Sequence, residues 1–211
     1  MYLSQVEIDY GNRRKVQDLS HLGAYHHWVE QSFPEEIDSK IRTRKLWRID
    51  SLRGKSYLLV VSPEKPDMNR LEKYGVKGTA KTRDYDQYLA SLKAGMEVRF
   101  RVVLNPVISI SQGLNKRGRV VPHVTAEQQK QFLMERAEKN GFSLCEDKVS
   151  IVKREYLPLY KSNSNKVKLS CVTYEGVLKI LDTEVFYKTL TQGFGKKKAY
   201  GFGMMTVIPI K

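Results

Sequence analysis

The feature that most limits the possible folds of this chain is the order of its predicted strands and helices, which occurs twice. The first half predicts strands near 1–8, 44–52, 56–62 and 77–85, with helices near 21–33 and 67–73. The second half predicts strands near 97–104, 142–160, 166–180 and 203–209, with helices near 125–140 and 182–192. Each half therefore has the order β-α-β-β-α-β. We predict an α+β protein of two tandem ferredoxin-like domains.

Local signals support several of these elements. The first helix has apolar residues spaced by three and four, namely Leu22, Tyr25, Val29 and Phe33. Thr125 and Gln128 are spaced as a capping box, and Asn140-Gly141 is a helix-ending pair. Asp182 can cap the last helix, and Gly193 lies just past its end.

The two predicted units meet where Ala94-Gly95 interrupts the pattern. We expect the boundary near 88–95, giving an N-terminal domain over 1–90 and a C-terminal domain over 95–211. Tandem ferredoxin-like domains are the architecture of RRM-like RNA-binding proteins.

The charge of the chain favours a polyanionic partner. Lysine and arginine number 37 against 23 acidic residues, a net charge of +14. Because the basic residues cluster near glycines and aromatic residues, nucleic acid is the favoured partner. The N-terminal residues have no secretory leader pattern, and no apolar run is long enough to span a membrane. Cys145 and Cys171 form no CxxC pair, so we interpret both as buried side chains in a reducing compartment and expect a cytoplasmic protein.

The segment from Gly193 to Gly203, here called the glycine–lysine segment, has the sequence G-F-G-K-K-K-A-Y-G-F-G. Its glycines permit positive φ angles and close approach of backbone N–H groups to a ligand. They flank three consecutive basic residues, so the segment predicts a phosphate-binding concavity. The residues concerned are Gly193, Gly195, Gly201 and Gly203, with Lys196, Lys197 and Lys198. The alternative is a helix-ending turn with solvated lysines, and its aromatic residues can either pack inward or stack on a base.

This segment resembles the C-terminal signature of the CRISPR repeat endoribonucleases, most closely the CasE subunits of the type I-E Cascade complex. The resemblance extends over the whole chain. It includes the first strand, an R-F-R strand followed by N-P, and an aromatic-E-G strand. These are Met1-Tyr2-Leu3-Ser4, Arg99-Phe100-Arg101 with Asn105-Pro106, and Tyr174-Glu175-Gly176.

The resemblance implies a metal-independent endoribonuclease without a cofactor. Such an enzyme binds the stem-loop of CRISPR repeats and cleaves precursor CRISPR RNA into mature guide RNAs. It then stays bound to its product as a Cascade subunit. The implied partners are the repeat stem-loop and the other Cascade subunits.

Cleavage by the RNA's own 2′-hydroxyl requires a base, an acid and positive charge, which histidine and lysine can supply. The chain has four histidines and no metal-binding motif among them: His21, His26, His27 and His123. The resemblance places the catalytic histidine early in the first helix, at His26. A structural histidine is the alternative. His27 points about 100° further round the helix and is better placed for RNA contact.

The identity of the acid is open at this stage. One branch of the family has a tyrosine three residues before the histidine, where this chain has Gly23. Tyr25 faces elsewhere on the helix and is no replacement. Lys168 matches a basic position of the family and Lys161 lies across the turn, so either could stabilise the developing charge. Exposed surface lysines are the alternative for both.

Three basic clusters predict a tract for the RNA backbone. They are Arg13, Arg14 and Lys15; Lys116, Arg117 and Arg119 in a glycine-bounded hairpin; and Lys196 to Lys198. Two other functions fit the charge. One is a non-catalytic RNA-binding scaffold or chaperone, and the other is a DNA-binding regulator.

Overall fold

The N-terminal half forms a four-stranded antiparallel sheet in a computed structural model that describes residues 1–113, 116, 118–160 and 166–210. The elements are β1 (Tyr2–Glu7), α1 (Leu22–Gln31), α2 (Pro34–Ser39), β2 (Leu46–Leu52), β3 (Lys55–Ser62), α3 (Met68–Leu71) and β4 (Lys81–Asp84). Helix α4 (Asp86–Ser91) follows. The strand order in the sheet is β2-β3-β1-β4.

The C-terminal half forms a second four-stranded antiparallel sheet. Its elements are β5 (Glu97–Leu104), α5 (Ala126–Ala137), β8 (Phe142–Tyr160), β9 (Lys166–Ile180), α6 (Thr183–Gln192) and β10 (Met205–Pro209). The strand order in this sheet is β10-β5-β9-β8. A separate hairpin of β6 (Val107–Ile110) and β7 (Arg119–Pro122) extends between β5 and α5.

Both sheets have the strand order of a ferredoxin-like unit, so the predicted α+β class with two ferredoxin-like units is confirmed. Two element predictions need correction. Pro34 does not simply end the first helix but begins α2, as proline readily does at the first helical position. The strand expected near 77–85 is only β4, because a turn at Gly78, with φ of 77°, precedes it.

The predicted helix ends are confirmed. Thr125 and Gln128 form a reciprocal capping box at the start of α5. Gly141 has φ of 82° after that helix, and the Asp182 carboxylate accepts from backbone N–H groups at the start of α6. These local bonds satisfy donors and acceptors that helix termini leave open.

The two sheets share their hydrophobic cores. Leu46 and Val61 of the first sheet pack in a cluster that otherwise consists largely of C-terminal residues. Val103 and Phe202 of the second half pack among N-terminal residues around Trp28. The division of the chain into domains over 1–90 and 95–211, with a boundary near α4, therefore stays a prediction.

Arg48 joins the two sheets from a buried position on β2. Its guanidinium donates to the backbone carbonyls of Arg101 and Met204 at 2.8 and 2.9 Å. It also donates to both carboxylate oxygens of Asp50 and to Thr206. The side chain is 2 % exposed, so its charge depends on these partners in place of water.

The two cysteines differ in environment. Cys171 is buried as predicted, whereas the prediction that Cys145 is buried is wrong, since Cys145 is exposed. Cys145 lies in the irregularity of β8 between Leu144 and Val149, where the strand departs from regular pairing with β9. In the described part of the chain, no helix is long and apolar enough to cross a membrane.

We expect Arg48→Met to lower the free energy of unfolding by about 3 kcal/mol, because it leaves buried carbonyl oxygens and Asp50 without their main donor. Arg83→Met, at an exposed arginine of β4, should change it by less than about 0.5 kcal/mol. Urea denaturation of both variants measures the difference. Equal stabilities would contradict a structural role for Arg48.

Candidate functional site

His26 lies on α1 with its side chain at the edge of the core. Leu22, Tyr25 and Val29 of the same helix are buried, whereas His26 is partly exposed. The helix begins after His21, whose Nδ1 atom accepts from the backbone N–H of Gly23 at 3.0 Å. His21 therefore has a structural role as the helix cap.

His26 faces a cleft of about 420 Å³. His27 and Glu30 of α1 line the cleft beside it, and Arg42, Tyr160 and Tyr200 contribute from other elements. Tyr160 ends β8, Tyr200 belongs to the glycine–lysine segment, and Arg42 precedes β2. The cleft therefore collects polar side chains from distant parts of the sequence, as binding sites commonly do.

Tyr200 brings the glycine–lysine segment against His26. The two ring centroids are 5.7 Å apart and the ring planes meet at 67°, an edge-to-face contact. Tyr200 lies on a short 3-10 turn, Lys198–Tyr200. The Lys197 ammonium lies 5.9 Å from the centre of its ring. A histidine and a basic, aromatic segment therefore share one cleft, although 174 positions separate His26 from Tyr200 in the sequence.

The environment of His26 favours its neutral form. Burial lowers the pKa of His26 below its ordinary value, and the nearby charges of Arg42, Lys45 and His27 lower it further. Glu30 acts in the opposite direction and raises it. A neutral imidazole can accept a proton near pH 7, which is the requirement for a general base.

The glycines of the segment have positive φ angles, between 66° and 84°, as the sequence predicts. The protein itself occupies the space beside most of them. A Cβ atom on Gly201 would lie 2.8 Å from the Trp47 ring, and one on Gly203 would lie 2.3 Å from the Phe194 carbonyl oxygen. On Gly193 it would contact Leu46 at 2.8 Å, whereas Gly195 has more room. Gly193 and Gly201 therefore let the segment pack onto β2, whereas Gly203 lets the two ends of the segment approach each other.

The side chains of the segment divide into two groups. Phe194 and Phe202 pack inward, which resolves the alternatives that the sequence left open for them. Lys196 and Lys197 are exposed. Lys198 is partly buried, and its ammonium donates to the Gly193 carbonyl at 3.3 Å. Burial, together with the charge of Arg44, lowers the pKa of Lys198.

Of the two predicted catalytic lysines, Lys168 is described by the structure and is not among the described residues that line the cleft. Lys168 is exposed on β9, opposite Pro158, and alternates with the buried Leu169 along the strand. Lys161 lies outside the described residues. Tyr25 is buried and its hydroxyl pairs with that of Tyr10 at 2.7 Å, so it does not stand in for a tyrosine at position 23.

The remaining basic clusters are dispersed over the surface. Arg13 and Arg14 are exposed, whereas Lys15 is partly buried and contacts Asp9 and the Gly75 carbonyl. Lys116 and Arg119 are exposed at the β6–β7 hairpin. Arg117 lies outside the described residues.

Sequence reasoning missed the basic residues that precede β2. Arg42 lines the cleft and Arg44 lies close enough to affect Lys198. The charge run Arg42-Thr43-Arg44-Lys45 was the available signal. For Tyr200 the sequence offers inward packing or base stacking, and it does not predict the contact with His26, because that contact depends on tertiary structure. Among the described residues, no three His, Cys, Asp or Glu side chains are grouped so that they could hold a metal ion.

Comparison with known proteins identifies the family. The family model described as CRISPR-associated protein matches residues 1–209. The chain belongs to this family.

Individual relatives agree with this assignment. The CRISPR-associated endoribonuclease Cse3 of Thermus thermophilus is 26% identical over 220 residues, covering 99% of this chain and all of the relative. The structure of T. thermophilus Cse3 bound to an RNA representing a pre-cleavage complex has 25% identity and a TM-score of 0.80, covering 99% of this chain and 98% of that one. A chain of a CRISPR RNA-guided surveillance complex in a pre-nicking state shares the fold, with 21% identity, full coverage of both chains and a TM-score of 0.74.

The packing of the segment predicts that alanine substitution destabilises the protein to different extents at two glycines with similar backbone angles. Gly201 (φ 83°) contacts Trp47, whereas nothing lies within 4 Å of a Cβ placed on Gly78 (φ 77°). Gly78→Ala should cost about 1–2 kcal/mol for its positive φ. Gly201→Ala should cost at least about 1 kcal/mol more, because its methyl overlaps the indole. Urea denaturation measures both, and equal costs would contradict the packing role of Gly201.

Proposed function

We propose that this protein is a metal-independent endoribonuclease that binds the stem-loop of CRISPR repeats and cleaves precursor CRISPR RNA into guide RNAs. The observation that carries the proposal is the shared cleft, in which His26 and the glycine–lysine segment meet through the Tyr200 contact. The likeness to T. thermophilus Cse3, a named endoribonuclease with an RNA-bound structure, supports the same activity.

His26 is the proposed base. Its neutral imidazole takes the proton of the 2′-hydroxyl next to the cut, and the 2′-oxygen then forms a bond to phosphorus. The bond from phosphorus to the 5′-oxygen breaks, leaving a 2′,3′-cyclic phosphate and a 5′-oxygen that takes up a proton from water to become the 5′-hydroxyl. The burial that lowers the pKa of His26 keeps the imidazole ready for the first step.

The positive charges around the cleft are proposed to stabilise the phosphorane-like transition state. Arg42 lines the cleft, and Lys197 lies over the face of Tyr200. Fixed cations are effective there because a partly water-excluded site weakens electrostatic interactions less than bulk water does. We propose that Lys168, outside the cleft lining, binds the RNA backbone beside the cut. A catalytic role for Lys161 stays a prediction.

We propose that the basic clusters bind the stem of the repeat RNA. Exposed Arg13, Arg14, Lys116 and Arg119 are suited to phosphates, and His27 lies at the cleft for a contact near the cut. Arg117 and Lys196 to Lys198 complete the proposed set. After cleavage the protein keeps the hairpin and assembles with other Cascade subunits, a proposal that the resemblance to CasE subunits and the fold shared with a surveillance-complex chain support.

His26→Ala should reduce single-turnover cleavage of repeat RNA in EDTA by about 10²- to 10⁴-fold, because it removes the base. His123→Ala provides a matched control, since His123 packs against Phe132, away from the cleft lining. A 2′-deoxy substitution at the cut should stop cleavage and leave binding intact. No cleavage by the unmodified protein in EDTA would favour a binding scaffold, and full activity of His26→Ala would exclude His26 as the base.

RNA affinity should fall steeply with salt, because each neutralised phosphate releases counterions. In a plot of log K against log salt concentration, Lys197→Ala should make the slope shallower by about one unit. Fluorescence anisotropy with an uncleavable repeat hairpin measures both slopes. An affinity that hardly changes with salt contradicts the proposed tract, and equal affinity for a DNA hairpin of the same sequence favours a DNA-binding function.

A further inference from the structure

A row of three charged side chains begins next to His26. The Glu30 carboxylate, one helical turn after His26, lies 3.9 Å from its Nδ1 atom. The other Glu30 oxygen lies 3.6 Å from the Lys45 ammonium. Lys45 in turn contacts Glu36 at 2.5 Å. The row therefore runs from the imidazole through Glu30 and Lys45 to Glu36.

The row is built into the fold. The Lys45 side chain is 1% exposed, and its ammonium also lies 5.0 Å from the centre of the Phe33 ring. Glu36 is further held by the backbone N–H and hydroxyl of Thr43. Although burial opposes ionisation of Glu36, its bonds from Lys45 and Thr43 prevail, and its pKa lies below the ordinary value. An ionised Glu36 therefore accompanies the buried cation.

The charges of the row do not cancel. Lys45 contributes one positive charge, whereas Glu30 and Glu36 contribute two negative charges. Glu36 is the nearer partner of Lys45, at 2.5 Å against 3.6 Å, so the uncompensated negative charge lies toward His26. A carboxylate in that place stabilises an imidazolium and favours the tautomer with the proton on the facing nitrogen.

We propose that Glu30 is a positioning residue for His26, and that the buried Lys45–Glu36 pair fixes Glu30 in that place. The inference rests on the proposed function of His26 as the base. The arrangement resembles in principle the carboxylate that orients a catalytic histidine in hydrolytic triads.

The separation of 3.9 Å between His26 and Glu30 is longer than a hydrogen bond. Catalytic hydrogen bonds are often long in a protein without substrate and tighten in the complex. When the Nε2 atom of His26 takes the proton of the 2′-hydroxyl, the imidazole becomes positive and its attraction to Glu30 increases. The carboxylate therefore acts on the step that creates the charge, while the proton stays on His26.

Several other groups face His26 and set the direction of the expected change. On α1, Glu30 raises the pKa of His26, and His27 lowers it. Before β2, Arg42 and Lys45 lower it. Glu36 of α2, Tyr160 of β8 and Tyr200 also line the cleft. Since Glu30 is the anion that raises the pKa of His26, its neutralisation should lower that pKa further.

The test compares Glu30→Gln with Glu30→Asp, which keeps the charge, and with Glu35→Gln, an exposed acid that does not line the cleft. Two measurements are made on each variant. Single-turnover cleavage of repeat RNA is followed against pH, and NMR titration of the unliganded protein follows the imidazole of His26. Thermal melts and binding of a 2′-deoxy hairpin show whether folding and RNA affinity are retained.

For Glu30→Gln we expect the low-pH limb of the rate profile and the NMR midpoint of His26 to move to lower pH. The plateau rate should fall about tenfold or more, because the base is weaker and its charged form loses its partner. Glu30→Asp should show a smaller shift in pH and a smaller fall in rate than Glu30→Gln, and Glu35→Gln should match the unmodified protein.

An unchanged NMR midpoint and rate profile in Glu30→Gln would overturn the role of Glu30, even if His26→Ala is inactive. The same fall in rate in Glu30→Gln and Glu30→Asp, without a shift of the rate profile or the NMR midpoint along the pH axis, would show that Glu30 is merely structural. That result would also overturn its positioning role. Failure of the proposed function is a separate result, since the unmodified protein would then not cleave, while the NMR titration would still report on the contact between Glu30 and His26.

Discussion

The contact between β2 and the glycine–lysine segment brings Tyr200 into the cleft that His26 faces. The indole of Trp47 packs against Gly201, and its N–H donates to the Ala199 carbonyl at 3.0 Å. The next residue, Arg48, donates to the Met204 carbonyl. These two side chains hold the glycine–lysine segment on the N-terminal sheet. Tyr200 lies between the two anchored points, which places its ring beside His26.

In this arrangement the glycines have a different role from the one that the sequence predicts. A glycine-rich, lysine-rich segment predicts an open loop whose backbone binds phosphate. In the folded protein, Gly201 and Gly203 instead allow close packing, and the two phenylalanines of the segment, Phe194 and Phe202, are buried. The exposed lysines are therefore attached to a backbone that this packing holds in place. Preorganised positive charge is more effective toward a phosphate than charge on a loop that must be ordered on binding.

The sequence predicts the features that depend on local chemistry. The order of strands and helices, the capping box at Thr125 and the glycine after α5 follow from neighbouring residues, and the structure confirms them. The choice of His26 from four histidines depended on a family resemblance, since a helical histidine beside apolar residues has no distinctive pattern of its own. His26 lies in a cleft, and its role as the base stays a prediction.

The features that the sequence does not predict depend on contacts between distant segments. Tyr200 meets His26 only when the two sheets share their cores, and spacing within one element cannot predict that contact. Lys45 is buried although an isolated lysine is usually exposed, because Glu36 and Glu30 surround it. Cys145 is exposed because of a strand irregularity that composition does not reveal.

We propose that the scissile RNA phosphate binds between His26 and the glycine–lysine segment. A crystal structure of the complex with a repeat hairpin that carries a 2′-deoxy nucleotide at the cut tests it most directly. We expect the scissile phosphate in this cleft, with the 2′-carbon of the preceding nucleotide turned toward the His26 imidazole and a non-bridging oxygen about 3 Å from a cation such as Arg42 or Lys197. A scissile phosphate bound elsewhere, with His26 and Tyr200 both out of contact with RNA, would contradict the account.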